Sequence, residues 1–138
     1  MSTNKPKFGE GYHILVVDDE EKVAKFMSEM LKNKGYNVTT LNNSVEARDY
    51  VLGHLGEVDL VITDQTMPNM TGAELARSLL EARPELPIFL VTGYSEEIDS
   101  EKAIEMGIRE YITKPLSLAG LADLLQTYLP PKVHSQYA

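Results

Sequence analysis

The chain has 138 residues and no cysteine, which excludes disulfides and thiolate metal sites. Its formal net charge is −8, which argues against direct binding of nucleic acid or of an anionic membrane, because both require clustered Lys and Arg. We expect a single cytoplasmic domain over residues 12–129, with a flexible lead-in over 1–11 and a C-terminal tail over 130–138.

Short apolar runs alternate with segments of helical periodicity along the chain. Three continuous apolar runs, Ile14–Val17, Leu60–Ile62 and Ile88–Val91, predict strands that are buried on both faces. Two mixed runs, Tyr36–Leu41 and Ile108–Thr113, predict strands with greater exposure. The first, third and fourth strands in chain order should therefore lie inside the sheet, with the second and fifth at its edges.

Helices are predicted between and after these strands, from apolar spacing and from capping residues. They comprise residues 20–34, stopped by Gly35; a helix capped by Ser44 and reaching about Leu55; a helix opened by a capping box of Thr71 and Glu74; an acidic helix from Ser95 to Gly107; and a final helix over Leu118–Tyr128.

Strict alternation of strands and helices predicts an α/β fold with a parallel sheet covered on both faces. The burial pattern of the strands is satisfied by the order 2-1-3-4-5, the flavodoxin-like, doubly wound (βα)5 arrangement. In such sheets the ligand crevice lies at the carboxyl ends of the strands, near the switch point between strands 1 and 3.

Four predicted strands end in polar residues at that edge. Strand 1 ends in Asp18-Asp19, strand 3 in Asp64, strand 4 in Thr92-Gly93 and strand 5 in Lys114-Pro115. Each residue has an ordinary structural explanation, such as a helix cap or a turn. Those explanations would all have to hold at once, on the edge where ligands bind, so a functional site is the better interpretation.

The residue types at this edge indicate phosphoryl chemistry assisted by a metal. Clustered carboxylates repel one another unless a cation neutralises them. Oxygen-only ligands favour a hard cation such as Mg²⁺ over zinc. A carboxylate can attack phosphorus to form an aspartyl phosphate, while Lys114 and Thr92 can stabilise the phosphoryl oxygens.

Together these motifs resemble the signature of bacterial two-component response-regulator receiver domains. The segment Met67–Gly72 is similar to the MPxMxG stretch that follows the phosphoacceptor in that family. The resemblance extends over residues 12–129, and its motifs fall in the family's order. The stretch Leu86–Ser95 also resembles receivers attached to hybrid sensor histidine kinases.

The resemblance implies a role for each matching residue. It assigns Asp64 as phosphoacceptor; Asp19 as direct Mg²⁺ ligand and Asp18 as a ligand through water; the backbone carbonyl of Thr66 as the third protein ligand; Lys114, Thr92 and Gly93 as the residues beside the phosphoryl group; Thr92 and Tyr111 as the switch pair; a cis peptide at Lys114-Pro115; and Thr66 and Tyr94 as the positions that tune hydrolysis.

The resemblance also implies partners. A histidine kinase or phosphotransfer protein would donate the phosphoryl group, and the face formed by the fourth helix, fifth strand and fifth helix would switch toward a downstream protein. We expect a monomer or a weak, phosphorylation-dependent homodimer that binds neither nucleic acid nor membrane directly. The domain would not be an enzyme beyond self-phosphorylation from small donors and self-dephosphorylation.

Other functions remain open at this point. One is a receiver-like interaction module that works without phosphorylation, although the key residues are all present. A haloacid-dehalogenase-type phosphatase also uses an Asp nucleophile and Mg²⁺, but Asp18-Asp19-Glu20 does not match its DxDx[TV] motif and no cap domain is visible. A flavin-binding module would need a phosphate-cradling loop after strand 1, where this chain is acidic.

Overall fold

The structure is a computed structural model that describes residues 9–93 and 98–132. Five strands and five helices alternate along this part of the chain. The strands are β1 (His13–Val17), β2 (Asn37–Leu41), β3 (Leu60–Asp64), β4 (Ile88–Thr92) and β5 (Glu110–Thr113). The helices are α1 (Glu21–Asn33), α2 (Ser44–Gly53), α3 (Gly72–Ala82), α4 (Ser100–Met106) and α5 (Leu118–Tyr128).

The strands form one parallel sheet in the order β2-β1-β3-β4-β5. Every residue of β3 and β4 is buried, whereas β2 and β5 contain no fully buried residue. The predicted flavodoxin-like fold is therefore confirmed, including the assignment of the mixed strands to the two edges.

Helices cover both faces of the sheet. Leu15 and Val17 of β1 belong to one core cluster, which includes buried residues of α2, α3 and α4. Ile14 and Val16 point the opposite way, as alternation along a strand requires, into a second cluster with α1 and α5. Because both faces are covered, the strand ends are where polar side chains from the interior strands can converge.

Several predicted element boundaries are wrong by a few residues, for local reasons. Asn43, not Ser44, caps α2, since its side chain accepts the Glu46 N–H. Ile108 does not start β5, because its N–H donates to the Ala103 carbonyl in the turn that ends α4. Gly107, with a φ of +103°, is the C-cap of that helix.

The fourth helix also starts later than predicted. Asp99 has extended backbone and caps α4 by accepting the Lys102 N–H, so the helix begins at Ser100. The predicted start, Ser95, lies outside the described residues. By contrast, Gly35 follows α1 with a φ of +99°, and Thr71 and Glu74 form the predicted capping box on α3.

The described parts of the two predicted end segments lie against each other. The Tyr12 hydroxyl donates to the Pro130 carbonyl, and Lys132 donates to the Gly11 carbonyl at 2.9 Å while its ammonium lies over the Tyr12 ring. Within residues 9–93 and 98–132, the helices are too short or too polar to cross a membrane.

Candidate functional site

Three carboxylates meet at the carboxyl edge of the sheet, where β1 and β3 end. Oxygens of Asp18, Asp19 and Asp64 all lie within 4.8 Å of one another. Asp18 and Asp64 are each only 6% exposed, whereas Asp19 is exposed. The structure thus brings together the three aspartates that the sequence placed at neighbouring strand ends, with two of them largely removed from water.

Asp18 does not serve as a helix cap, which was its ordinary explanation. Glu20 occupies the N-cap of α1 and makes no side-chain cap bond. Asp18 instead accepts the Glu20 N–H at 2.9 Å in the turn before the helix. Burial raises the pKa of Asp18 to about 6, the Glu20 N–H opposes that shift, and the neighbouring Asp64 carboxylate adds to it.

Lys114 supplies positive charge to this cluster. It follows β5 directly, and its Nζ lies 2.8 Å from Oδ1 of Asp64. Its backbone N–H donates to the Thr92 carbonyl, and its peptide bond to Pro115 is cis. The hydrogen bond to Asp64 raises the pKa of the Lys114 ammonium above its ordinary value, so the group is charged at neutral pH.

The donor set fits a hard divalent cation. Three carboxylates and one ammonium leave an excess of negative charge in a partly buried space, and like charges at this separation repel. Carboxylate oxygens suit Mg²⁺, which usually keeps several waters and takes one or two protein carboxylates with phosphate oxygens. Thr66, whose backbone carbonyl is the other predicted ligand, is an exposed residue in the loop between β3 and α3.

Thr92, the last residue of β4, carries an orphaned hydroxyl. The residue is fully buried, and its Oγ1 has no hydrogen-bond partner within the part of the chain that the structure describes. Buried hydroxyls are nearly always paired, so an unpaired one at this edge of the sheet is available to bind a further group. Gly93 follows it and is half-buried, and Tyr94, the predicted hydrolysis-tuning residue, lies outside the described residues.

Tyr111, in the middle of β5, connects the sheet edge to the start of α4. Its ring packs against the core cluster that contains Ile98 and Ala103. Its hydroxyl donates to the Ile98 carbonyl at 2.9 Å. In this conformation the tyrosine therefore holds the backbone just before α4.

Two residues near the site were not assigned a role from the sequence. Gln65 is 3% exposed and hydrogen-bonded to α3, although a polar residue after a strand is typical of an ordinary turn. A Cβ on Gly72 would stand 2.2 Å from the Asp64 carbonyl oxygen, so only glycine fits there. The signal for Gly72 in the sequence is its place as the final glycine of the stretch Met67–Gly72, which is similar to the MPxMxG segment.

Comparison with known proteins identifies the family. The sequence model of the response regulator receiver domain matches residues 14–126. The chain belongs to the response regulator receiver domain family. Receiver domains are signalling domains of two-component systems rather than an enzyme class, and they bind Mg²⁺ at an acidic pocket.

Curated relatives of this receiver domain are larger proteins. It is 33% identical over 117 residues to the uncharacterized transcriptional regulatory protein YkoG of Bacillus subtilis, covering 85% of this chain and 50% of that protein. It is 34% identical over 104 residues to the alkaline phosphatase synthesis transcriptional regulatory protein PhoP of the same organism, covering 75% and 42%. The chain thus spans about half the length of the curated relatives it matches.

Solved receiver structures share the fold over most of this chain. A response regulator receiver domain from Clostridium thermocellum has a TM-score of 0.82 at 26% identity, covering 86% of this chain and 94% of that one. The chemotaxis protein CheY4 of Vibrio cholerae has a TM-score of 0.76 at 26% identity, covering 86% and 98%. As a family, receiver domains interact with histidine kinases and with downstream effectors.

Proposed function

We propose that Asp64 accepts a phosphoryl group from the phosphohistidine of a histidine kinase or phosphotransfer protein, with Mg²⁺ held by Asp18, Asp19, Asp64 and the Thr66 carbonyl. The observation that supports this best is the single cluster in which a buried Asp64 contacts Lys114 at 2.8 Å and lies beside two further carboxylates. A structural salt bridge would need only one of those three carboxylates.

The transfer would be an in-line displacement at phosphorus. An oxygen of the Asp64 carboxylate forms the new P–O bond, the P–N bond to the donor imidazole breaks, and the leaving imidazole keeps the electron pair and takes up a proton. Lys114 stabilises the charge on the phosphoryl oxygens, and its raised pKa keeps it protonated while it does so. Bound Mg²⁺ would supply the remaining neutralisation of the carboxylate cluster.

The switch would use the orphaned hydroxyl. An aspartyl phosphate adds about −1.5 to −2 units of charge and several acceptor oxygens. The Thr92 hydroxyl, which lacks a partner in the described structure, would turn toward those oxygens beside Gly93. Tyr111 would then change rotamer, release the Ile98 carbonyl and alter the face formed by α4, β5 and α5.

Two residues remain proposals for the lifetime of the phosphorylated state. Neither Thr66 nor Tyr94 carries a carboxylate or amide that could orient an attacking water. Thr66 is exposed, so a longer side chain introduced at that position would reach solvent.

The output would be transmitted through protein contacts. The stretch Leu86–Ser95 suggests that the parent protein is a hybrid sensor histidine kinase that contains this receiver domain.

Intact-mass spectrometry tests the proposal. Incubation with acetyl phosphate and Mg²⁺ should add one phosphoryl group to the wild-type protein and none to Asp64→Asn. Asp49→Asn, which changes an exposed aspartate on α2, is the matched control and should label normally. Equal labelling of Asp64→Asn and Asp49→Asn would remove Asp64 as the acceptor, and no labelling of any protein would favour the phosphate-independent module.

A further inference from the structure

Gln65 follows the proposed phosphoacceptor directly and is buried. Its side chain is 3% exposed, although glutamine is mostly found on protein surfaces. The side-chain Oε1 accepts a hydrogen bond from the Ala73 N–H at 2.8 Å, eight residues further along the chain. A long polar side chain is therefore held in the interior, against the first turn of α3.

The backbone of Gln65 makes two more bonds at the same junction. Its N–H donates to the Val91 carbonyl at 2.9 Å, one residue before Thr92. Its carbonyl accepts the Gly72 N–H at 2.9 Å. Together with the side-chain bond, these contacts fix Gln65 to the end of β4 and to the first two residues of α3.

The loop over residues 66–71 leaves and returns at this junction. Where it returns, α3 packs directly on the phosphoacceptor backbone, since a Cβ on Gly72 would stand 2.2 Å from the Asp64 carbonyl oxygen. Within the loop, Asn69 adopts a left-handed φ of +72°, a conformation that asparagine tolerates better than most residues. The first turn of α3 is therefore in direct contact with Asp64 and Gln65, the two residues that precede Thr66.

We propose that Gln65 is a positioning residue for the metal and phosphoryl site. Its side-chain hydrogen bond with the Ala73 N–H holds the Thr66 carbonyl and the Asp64 carboxylate at the spacing that Mg²⁺ binding requires. This inference rests on the proposed function above. The side-chain Oε1 of Gln65 is bonded to α3, so the residue acts on the site through its neighbours. Residues that orient metal ligands in this way are often nearly as important as the ligands themselves.

The competing explanation is that Gln65 only caps α3. The capping box of Thr71 and Glu74 already does this at the same helix end, with the Glu74 carboxylate accepting the Thr71 N–H at 2.9 Å. Glu74→Ala therefore offers a matched control that weakens the same terminus without changing Gln65. Gln65→Met keeps the length of the side chain and removes its strong acceptor.

Mg²⁺ titrations followed by calorimetry and by melting temperature separate the two explanations. Gln65→Met should raise the Mg²⁺ concentration for half-saturation roughly tenfold, the lower end of the effect seen when ligand-orienting residues are removed. Glu74→Ala should lower the melting temperature while keeping wild-type Mg²⁺ half-saturation. If the two variants lower the melting temperature alike and bind Mg²⁺ like the wild type, Gln65 only stabilises the helix.

A measurement on the wild-type protein covers the case in which Gln65→Met does not fold. Thermodynamic coupling between two events is reciprocal. If the Gln65–Ala73 hydrogen bond favours Mg²⁺ binding, saturating Mg²⁺ must therefore stabilise that hydrogen bond. Hydrogen exchange of the Ala73 amide should slow when Mg²⁺ is added, and unchanged exchange would contradict the proposal. A wild-type protein that shows no Mg²⁺ binding would instead refute the proposed metal site, which distinguishes the two failures.

Discussion

Replacing Thr92 with valine should stabilise the unphosphorylated protein, contrary to the usual effect of a core substitution. Valine has nearly the shape of threonine and is also β-branched, so it suits a buried position on an interior strand. The Thr92 hydroxyl is fully buried and unpaired within the described residues. Such a group destabilises the native state by about 1–3 kcal/mol, and Thr92→Val removes it.

This gain is measurable by urea or thermal unfolding with EDTA present. A gain of about 1–3 kcal/mol corresponds to a melting-temperature rise of at least about 3 °C for a domain of this size. Thr63→Val is the matched control, because Thr63 is equally buried in the adjacent strand but donates to the Asp64 carbonyl at 2.9 Å. That variant loses a formed hydrogen bond and should be neutral or destabilised by about 1 kcal/mol.

Beryllofluoride, which stands in for the phosphoryl group on Asp64, supplies the functional half of this test. It should stabilise the wild type more than Thr92→Val, because only the wild type gains a hydrogen bond to the new acceptor. If Thr92→Val is no more stable than the wild type, as we expect for Thr63→Val, the argument from the orphaned hydroxyl is refuted. Equal stabilisation of both proteins by beryllofluoride would refute its role in the switch.

Three further predictions follow from charge and packing at the site. Because the folded-state pKa of Asp18 is raised from 3.8 to about 6, its protonation stabilises the fold near pH 4, and that contribution is lost as pH rises through 6. Without divalent cations, Asp18→Asn should therefore be more stable than the wild type at pH 7 and lose that advantage near pH 4. A stability difference that does not change with pH would contradict this. Lys114→Met should destabilise the metal-free protein by about 1–2 kcal/mol in urea unfolding. This lies between the contributions of surface and fully buried ion pairs, because the Lys114 side chain is 42% exposed and that of Asp64 only 6%. Lys132→Met is the control, and an equal loss of stability in both variants would contradict a stabilising Lys114–Asp64 ion pair. Gly72→Ala should cost about 1–3 kcal/mol or more through overpacking against the Asp64 carbonyl, whereas Gly56→Ala, which meets no atom within 4 Å, should be nearly neutral by the same measure.

The sheet was predictable because its strands differ in composition. The continuous apolar runs of β1, β3 and β4 mark strands buried on both faces, and the mixed runs mark edges, which leaves few possible strand orders. The convergence of Asp18, Asp64 and Lys114 then followed from parallel strands ending at a common edge. Local sequence patterns therefore predict those features of the fold that depend on hydrophobic periodicity and on the order of elements along the chain.

The remaining features depend on contacts between residues that the sequence does not reveal. Gln65 looks like an ordinary turn residue until its side chain is seen to reach Ala73 on α3. The Thr92 hydroxyl has no hydrogen-bond partner among the described residues, and this depends on how its neighbours are arranged in space rather than on any sequence pattern. Ile108 begins the mixed run that predicts the fifth strand, but its N–H donates to the Ala103 carbonyl in the turn that ends α4, so β5 starts at Glu110.

Chemical trapping of the acyl phosphate tests the central claim most directly. After incubation with acetyl phosphate and Mg²⁺, borohydride reduces an aspartyl phosphate to homoserine, which peptide mass mapping locates in the sequence. We expect homoserine at position 64 alone, only when Mg²⁺ and the phosphodonor are both present. Homoserine at another aspartate, or none in protein that carries a stable phosphoryl group, would contradict the assignment of Asp64 as the phosphoacceptor.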